Sequence, residues 1–356
     1  MKGTEMKKYK NLYLPNGYWN FKSALDDDCP FAFVIGGRAT GKTFGALEGV
    51  KDHFDATGRT FIYLRRTKTQ ADLMATDVFN PFRPINTLRG WNVQPFPVAR
   101  GVTGFYNAAV EDDKLKPAGS CMGVIASLST FSNFRGFDAS NLDFVIYDEF
   151  IKNRGEKSIR DEGFALLNVY ETVNRNRELY GSNAVKMICL SNANTIANDV
   201  FLDLNLADKV EHMRKIRKNQ YYDLGRGIAI YDLTDSEISK KKKQTALYKM
   251  DASGVYSDMA LGNQYADYDT SFVQSQPLQE YNPVVIYADL CIYRHKSDRR
   301  YYATSHKSGT VPVFKATDVD KSKFIRTYGY LWEAYIDGLI RFDCFSNVKK
   351  FESIYT

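Results

Sequence analysis

The chain has 356 residues, 44% hydrophobic and 25% charged, with 48 Lys/Arg against 42 Asp/Glu for a formal charge of +6. That is globular composition for roughly two to three domains, and it excludes wholesale disorder, a collagen-like chain and a small disulfide scaffold. No run reaches the ~18 apolar residues of a membrane span, and the basic start MKGTEMKKYKNLYLPNG lacks the apolar core of a secretory signal. Cys29, Cys121, Cys189, Cys291 and Cys344 are scattered without a CxxC pair. They predict neither a disulfide framework nor a zinc site and fit a reducing cytoplasm.

In chain order, residues 31–36 (FAFVIG) predict a short buried strand running into a glycine loop, then a helix from about Lys42 to His53. Residues 60–66 (TFIYLRR) predict a second strand, followed by a polar helix start at Thr67-Lys68-Thr69. The Pro-, Gly- and Asn-rich stretch from Pro81 to Pro117 reads as hairpin-like insertions and loops. Strand character returns at 121–127, 143–147 and 185–190, with a helix over about 160–178 between the last two. Strands alternating with helices over two hundred residues predict a mostly parallel sheet wrapped by helices.

After about Asp232 the pattern changes. Residues 234–270 predict a helical linker, with Thr234 and Glu237 as a capping box at its start. From 271 the chain is β-rich again (VVIYADLCIYR, then RRYYATSH), with a helix near 328–339 and a short ending. The predicted division is an α/β domain over 1–233, a helical linker over 234–270 and an α+β domain over 271–356. Between Lys209 and Lys249 there are 11 Lys/Arg against 5 Asp/Glu, which accounts for the whole net charge. Such a block suits a phosphate backbone, though a solvated helix face has the same composition.

The strongest signal is Gly36-Gly37-Arg38-Ala39-Thr40-Gly41-Lys42-Thr43, a full match to GxxxxGK[ST] between a strand and a helix. The glycines let successive backbone N–H groups turn toward phosphate oxygens, and the helix start adds its positive dipole end. Lys42 is placed to reach the β- and γ-phosphates and Thr43 to ligate Mg²⁺. The second half of the site is Phe144-Val145-Ile146-Tyr147-Asp148-Glu149, a strand delivering two acids at its carboxyl end. Asp148 is expected to hold Mg²⁺ through water and Glu149 to polarise the attacking water. Adjacent strand residues point to opposite sides, which would divide those roles. ATP and Mg²⁺ are therefore the expected cofactors.

Asn192 ends a third apolar strand and is a candidate γ-phosphate sensor. Phosphoryl transfer also needs positive charge near the γ-phosphate. Arg38, Arg135, Arg175 and Arg177 are candidates that residue chemistry alone does not rank. Arg65 and Arg66, at the end of the second strand, suit either an anion contact or a structural salt bridge. Arg89, Arg100, Lys114 and Lys116 make the 85–116 insertion a candidate loop for gripping a phosphate backbone.

FVIGGRATGKT, FIYLRR, FVIYDEF, TVNRNRE and ICLSNA occur in that order, and VYSDMALGNQY and GLIRFD follow. Together they resemble the DNA-packaging ATPases of the phi29-like bacteriophages, terminase-related P-loop NTPases of the ASCE class. The resemblance implies a homo-oligomeric, pentameric ring seated on the portal of an empty procapsid, in the cytoplasm of an infected bacterium. It implies double-stranded DNA and the portal protein as partners, with a structural RNA as a further candidate and no membrane. Lys42, Thr43, Asp148 and Glu149 carry over as the hydrolytic core. Arg175 matches the family's inter-subunit arginine finger, and Arg135 aligns with a basic residue acting in trans, where the relative has lysine. The carboxyl-terminal domain is implied to be RNase H-like without its catalytic acids. Here Asp289 lies on its first expected strand, and Asp318, Asp320, Asp337 and Asp343 lie in unrelated contexts, so no nuclease activity is expected. The alternatives are a single-strand helicase and an ATP-binding portal scaffold.

Overall fold

The apolar runs that end in polar residues become the strands of a large twisted sheet. The structure, a computed structural model, describes residues 10–25, 28–134, 136–153, 156–157, 159, 161–192, 196, 198–233, 236–251, 260–261 and 271–355. It divides into two compact units, one of residues up to Leu204 and Val210–Ala266, the other of Asn205–Lys209 and residues from Asp267 onward. The described residues of the expected linker group with the first unit.

The first unit contains β1 (Phe31–Gly36), β2 (Thr60–Arg65), β3 (Val93–Ala99), β4 (Val102–Glu111), β5 (Lys114–Ser127), β6 (Leu142–Asp148), β7 (Lys186–Asn192), β8 (Gln220–Asp223) and β9 (Ile228–Leu233). They form one sheet in the order β3-β4-β5-β2-β6-β7-β1-β9-β8. The six strands from β5 to β9 in that order are parallel, and the β3-β4-β5 and β9-β8 edges are antiparallel. Near-continuous apolar sequence follows, because central parallel strands are covered on both faces. Ala32–Ile35, Val145–Tyr147 and Met187–Leu190 are entirely or almost entirely buried.

Its helices are α1 (Lys42–Thr57), α2 (Lys68–Met74), α3 (Arg83–Arg89), α4 (Glu162–Asn174) and α5 (Asp199–Asp203), then α6 (Ala207–Lys215), which enters from the other unit, α7 (Glu237–Lys242) and α8 (Ala246–Met250). Thr67 and Gln70 form a reciprocal capping box at α2, fixing where β2 turns into helix. The 81–117 stretch holds the expected hairpin-like pieces, most of a long antiparallel meander continuous with the main sheet, together with a helix, α3, that was not expected. Two further expectations are corrected. Strands β8 and β9 were not expected; both lie within the Lys209–Lys249 basic block, and β9 pairs with β1 in parallel. The capping position of α7 is Ser236, whose side chain accepts from the Ser239 amide, rather than Thr234, which lies outside the described residues.

The second unit is a five-stranded sheet of β10 (Tyr281–Tyr287), β11 (Leu290–His295), β12 (Tyr301–Thr304), β13 (Val313–Phe314) and β14 (Ile340–Phe342), ordered β13-β10-β11-β12-β14. Helices α9 (Asp318–Tyr328), α10 (Tyr330–Ile336) and α11 (Phe345–Tyr355) accompany it. The first and last were not expected; Phe324 of α9 meets Tyr355 of α11, and Phe351 of α11 packs against Trp332 and Tyr335 of α10 and Phe342 of β14. The run VVIYADLCIYR is two strands, not one. Ala288, at φ 53°, turns the chain, so Asp289 sits in a hairpin turn and ion-pairs with Lys350 at 2.6 Å.

Candidate active site

The carboxyl ends of β1, β7, β6 and β2 bring together groups from four separate stretches of sequence. Gly41 ends the loop after β1 at φ 85°, a left-handed conformation that a Cβ disfavours. A Cβ there would also lie 2.9 Å from the Tyr18 ring. At Gly37 a Cβ would meet the Leu261 carbonyl oxygen at 2.9 Å, and the Arg38 amide donates to Ala260 O at 2.9 Å. The loop is thus boxed in by backbone from outside the motif, and the Arg38 side chain is left exposed.

Lys42 folds back into this loop. Its Nζ donates to Gly37 O at 2.8 Å, Gly36 O at 3.1 Å, Thr40 Oγ1 at 3.3 Å and Asn192 Oδ1 at 3.3 Å. Burial pulls its pKa down to about 8, against the opposing pull of Asp148, Asp232 and Glu149. A cation this desolvated is the group a polyphosphate would recharge. Asn192 reaches it because β7 lies between β1 and β6, with Asn192 in register with Gly36. The expected strand-end amide is therefore beside the loop lysine, Lys42.

Asp148 is almost fully buried and accepts hydrogen bonds from Thr43 Oγ1 (2.9 Å to Oδ2, 3.1 Å to Oδ1) and from the Tyr63 hydroxyl (2.8 Å). Burial, with the adjacent Asp148 charge, drives the Tyr63 phenol well above its ordinary pKa, so it stays a donor. Arg65 completes the cluster: its guanidinium lies 3.3 Å from Asp148 Oδ2 and pairs closely with Glu149 Oε2. The two acids do not point to opposite sides as strand alternation predicts. The strand ends at Asp148, and Glu149 at φ 58° turns its carboxylate back toward the same arginine. A cleft of about 490 Å³ opens over these groups, walled by Phe79, Pro81, Arg83 and Thr87. Sequence reasoning missed Tyr63 and Arg83; the first looked like core, and the second lay in a segment read as loop.

A hydroxyl and a carboxylate about 3 Å apart are hard oxygen donors suited to Mg²⁺, which keeps most of its waters and takes one or two protein ligands. Thr43 and Asp148 would hold it directly or through water, and a bound Mg²⁺ would neutralise charge on the phosphates.

Of the arginine candidates, Arg177 is committed to the fold: it donates to Leu142 O at 2.5 Å, to Ser140 O at 3.2 Å and to Ala139 O. Arg175 is exposed at the carboxyl end of α4, with Nη2 on Phe137 O at 2.9 Å. Phe137 precedes the start of β6, whereas Asp148 ends it. Six residues of strand separate Leu142 from Asp148, about 20 Å at ~3.3 Å per residue. Arg175 therefore stands at the opposite edge of the sheet from its own subunit's acids. Arg135 lies outside the described residues. In the insertion, Arg89 pairs with Glu48 and Lys116 with Glu111 and Asp112, while Arg100 lies in the β3–β4 turn and Lys114 is exposed at the start of β5. In the basic block, Arg214 pairs with Asp232 at 2.6 Å and Lys215 with Glu211 at 2.6 Å, so part of that charge is structural.

A parallel sheet with a glycine-rich loop after β1, its lysine and threonine facing an acid at the end of β6, is the arrangement with which P-loop NTPases as a class hold a nucleotide. Residues 15–353 match the family described as Podovirus DNA encapsidation protein (Gp16), and the chain belongs to that family. It is 27% identical over 346 residues to the DNA packaging protein of Bacillus phage phi29, covering 92% of this chain and 93% of that one. The DNA packaging protein of Bacillus phage PZA matches to the same extent. The fold is similar to that in the bacteriophage Phi-29 viral genome packaging motor assembly (TM-score 0.63, 23% identity, 94% of this chain and 97% of that chain). It is also similar to the Phi-28 gp11 DNA packaging motor (TM-score 0.61, 18% identity, 94% and 97%).

Proposed function

We propose that this chain is the ATP-driven, double-stranded DNA translocase that packages a phage genome through the portal of its procapsid. The observation that carries this reading is the convergence of Lys42, Thr43, Asp148 and Glu149, in a member of the encapsidation family, on a site with no finger arginine of its own at Arg175. Loop amides and Lys42 bind the phosphates, Thr43 and Asp148 hold Mg²⁺, and Glu149, once off Arg65, takes the proton of the attacking water. Asn192 touches Lys42 and so reports the state of the γ-phosphate to β7.

Because Arg175 stands beyond the start of β6, a strand about 20 Å long with its own acids at the other end, it acts on a neighbouring copy, which makes a ring the working state; five subunits is the number the family likeness favours. The domains are an ATPase domain (1–233), a linker (234–270) and an RNase H-like docking or nucleic-acid-binding domain (271–356). In the last, Asp343 is taken by Thr304 and Asn347 and Asp289 by Lys350, which supports the absence of nuclease activity. Portal protein and duplex DNA are the partners, with a structural RNA as a further candidate, in the host cytoplasm at the portal vertex.

The test is steady-state ATP hydrolysis with no DNA, single-stranded DNA and duplex DNA, with Glu149→Gln as blank. Stimulation chiefly by duplex supports the motor. Stimulation by single strands alone points to a helicase. No turnover even with procapsids points to a structural nucleotide site.

A further inference from the structure

The ends of β2 and β6 carry two ion-pair clusters, one on each face of the sheet. Successive strand residues alternate faces, so Arg65 and Asp148 face the nucleotide loop while Arg66 and Tyr147 face α4. Arg66 is completely buried, at 0% exposure. Its Nε donates to Glu162 Oε1 at 2.8 Å, its Nη2 to Glu162 Oε2 at 2.9 Å and its Nη1 to Glu156 Oε2 at 2.9 Å. The Tyr147 hydroxyl donates to the same Glu162 Oε1 at 2.8 Å. Glu162 is the first residue of α4, and the next amide, Gly163 N–H, donates to Asp203 Oδ2 at 2.8 Å. A two-point arginine–carboxylate contact fixes direction as well as distance.

From this clasp α4 runs 13 residues without a break to its C-cap, Arg175. At ~1.5 Å per residue that is about 20 Å. One end is held by the residues next in sequence to Arg65 and Asp148; the other carries the exposed guanidinium. A buried ion pair adds little net stability over an apolar contact, so its fixed geometry is the better account of its presence.

We propose that Arg66 is a positioning residue for hydrolysis in the neighbouring subunit: its clasp on Glu162 sets where α4 holds Arg175. The inference rests on the reading of Arg175 as acting in trans. A subunit with a loosened clasp keeps a competent site of its own and offers its neighbour a misplaced arginine. Displacement on the order of 1 Å in such a group costs about 100-fold in rate.

Subunit mixing tests this, with Arg66→Lys, which keeps the charge but not the fork, and Glu162→Gln as the second variant should Arg66→Lys fold poorly. Alone, each should bind a non-hydrolysable ATP analogue within about threefold of wild type and turn over about 10- to 100-fold more slowly. Mixed with Glu149→Gln subunits, whose α4 is intact, the variant's sites should regain turnover. Mixed with Arg175→Ala subunits they should not. The reverse pattern, recovery with both partners, recovery with neither, or wild-type turnover of the variants alone overturns the proposal. The control mixture of Arg175→Ala with Glu149→Gln separates the two claims: if it stays inactive, the trans reading of Arg175 fails and takes this proposal with it. If it recovers, any failure belongs to Arg66 alone.

Discussion

Arg65 forms an ion pair with Glu149, so the expected catalytic base is held by a buried arginine that also touches Asp148. Three charged groups share this small volume, with Arg65 and Asp148 side chains 7% and 6% exposed and Glu149 41% exposed. The pair engages Glu149 Oε2, so in this arrangement Arg65 holds one of the two oxygens of that carboxylate.

Arg65→Gln leaves Asp148 buried without its counter-charge. Breaking a buried pair from one side typically costs about 3–5 kcal/mol. We expect a marked loss of thermal stability in the nucleotide-free protein and partial recovery with Mg-ATP, which supplies a new cation to Asp148. Melting curves with and without Mg-ATP check this; equal loss in both would mean Asp148 does not contact the metal.

Lys42 has its pKa lowered to about 8 by burial, from an ordinary value of 10.5. The unfolded chain then binds more protons than the folded one between about pH 8 and 10.5, so this group's contribution to stability rises through that window. Bound phosphates restore the charge. Nucleotide binding near pH 8.5 should therefore take up protons, seen by calorimetry as a binding enthalpy that varies with buffer ionisation enthalpy. Lys42→Met should abolish the buffer dependence, and uptake that persists in that variant assigns the proton elsewhere.

Arg175 and Arg177, two residues apart, should respond oppositely to removal. Arg177→Ala strips donors from three carbonyls ahead of β6 and should cost about 1–3 kcal/mol of stability. Arg175→Ala should leave stability within about 0.5 kcal/mol yet lower turnover by about 10³-fold or more. Denaturant melts beside ATPase rates decide it, and an inactive, stable Arg177→Ala with an active Arg175→Ala would exchange the roles.

Tyr147→Phe removes the second donor to Glu162 without changing volume. Since Arg66 still satisfies that carboxylate, the expected cost is only about 0.5–1.5 kcal/mol. A larger loss in urea denaturation would show that the tyrosine, not the arginine, is the main anchor of α4.

The nucleotide loop, Asp148, Glu149 and Asn192 were legible in the sequence because each is a local event: a glycine turn, or a polar residue where an apolar strand stops. Hydrophobic runs of five or six residues likewise marked β1, β2, β6 and β7. Strands β8 and β9 escaped because short edge-side strands beside a lysine-rich block carry little periodic signal, and pairing with β1 is what makes Ile228–Leu233 a strand. Helix α3 was hidden by its shortness and its proline, and α9 and α11 by mixed polar and aromatic composition that packing rather than propensity stabilises.

Sequence alone thus marked the groups on offer: a glycine-rich loop with its lysine, a hydroxyl and a carboxylate of the kind that suit a metal, and a second acid beside them. Only the tertiary structure decided how those groups are paired, because strand order and face are long-range properties. It put β7 between β1 and β6 so that Asn192 meets Lys42, turned Glu149 onto Arg65, and sent Arg65 and Arg66 to opposite faces of one strand end. It also set Arg175 a full strand length from the acids, since a helix returning across a parallel sheet ends at the amino edge while the chemistry sits at the carboxyl edge.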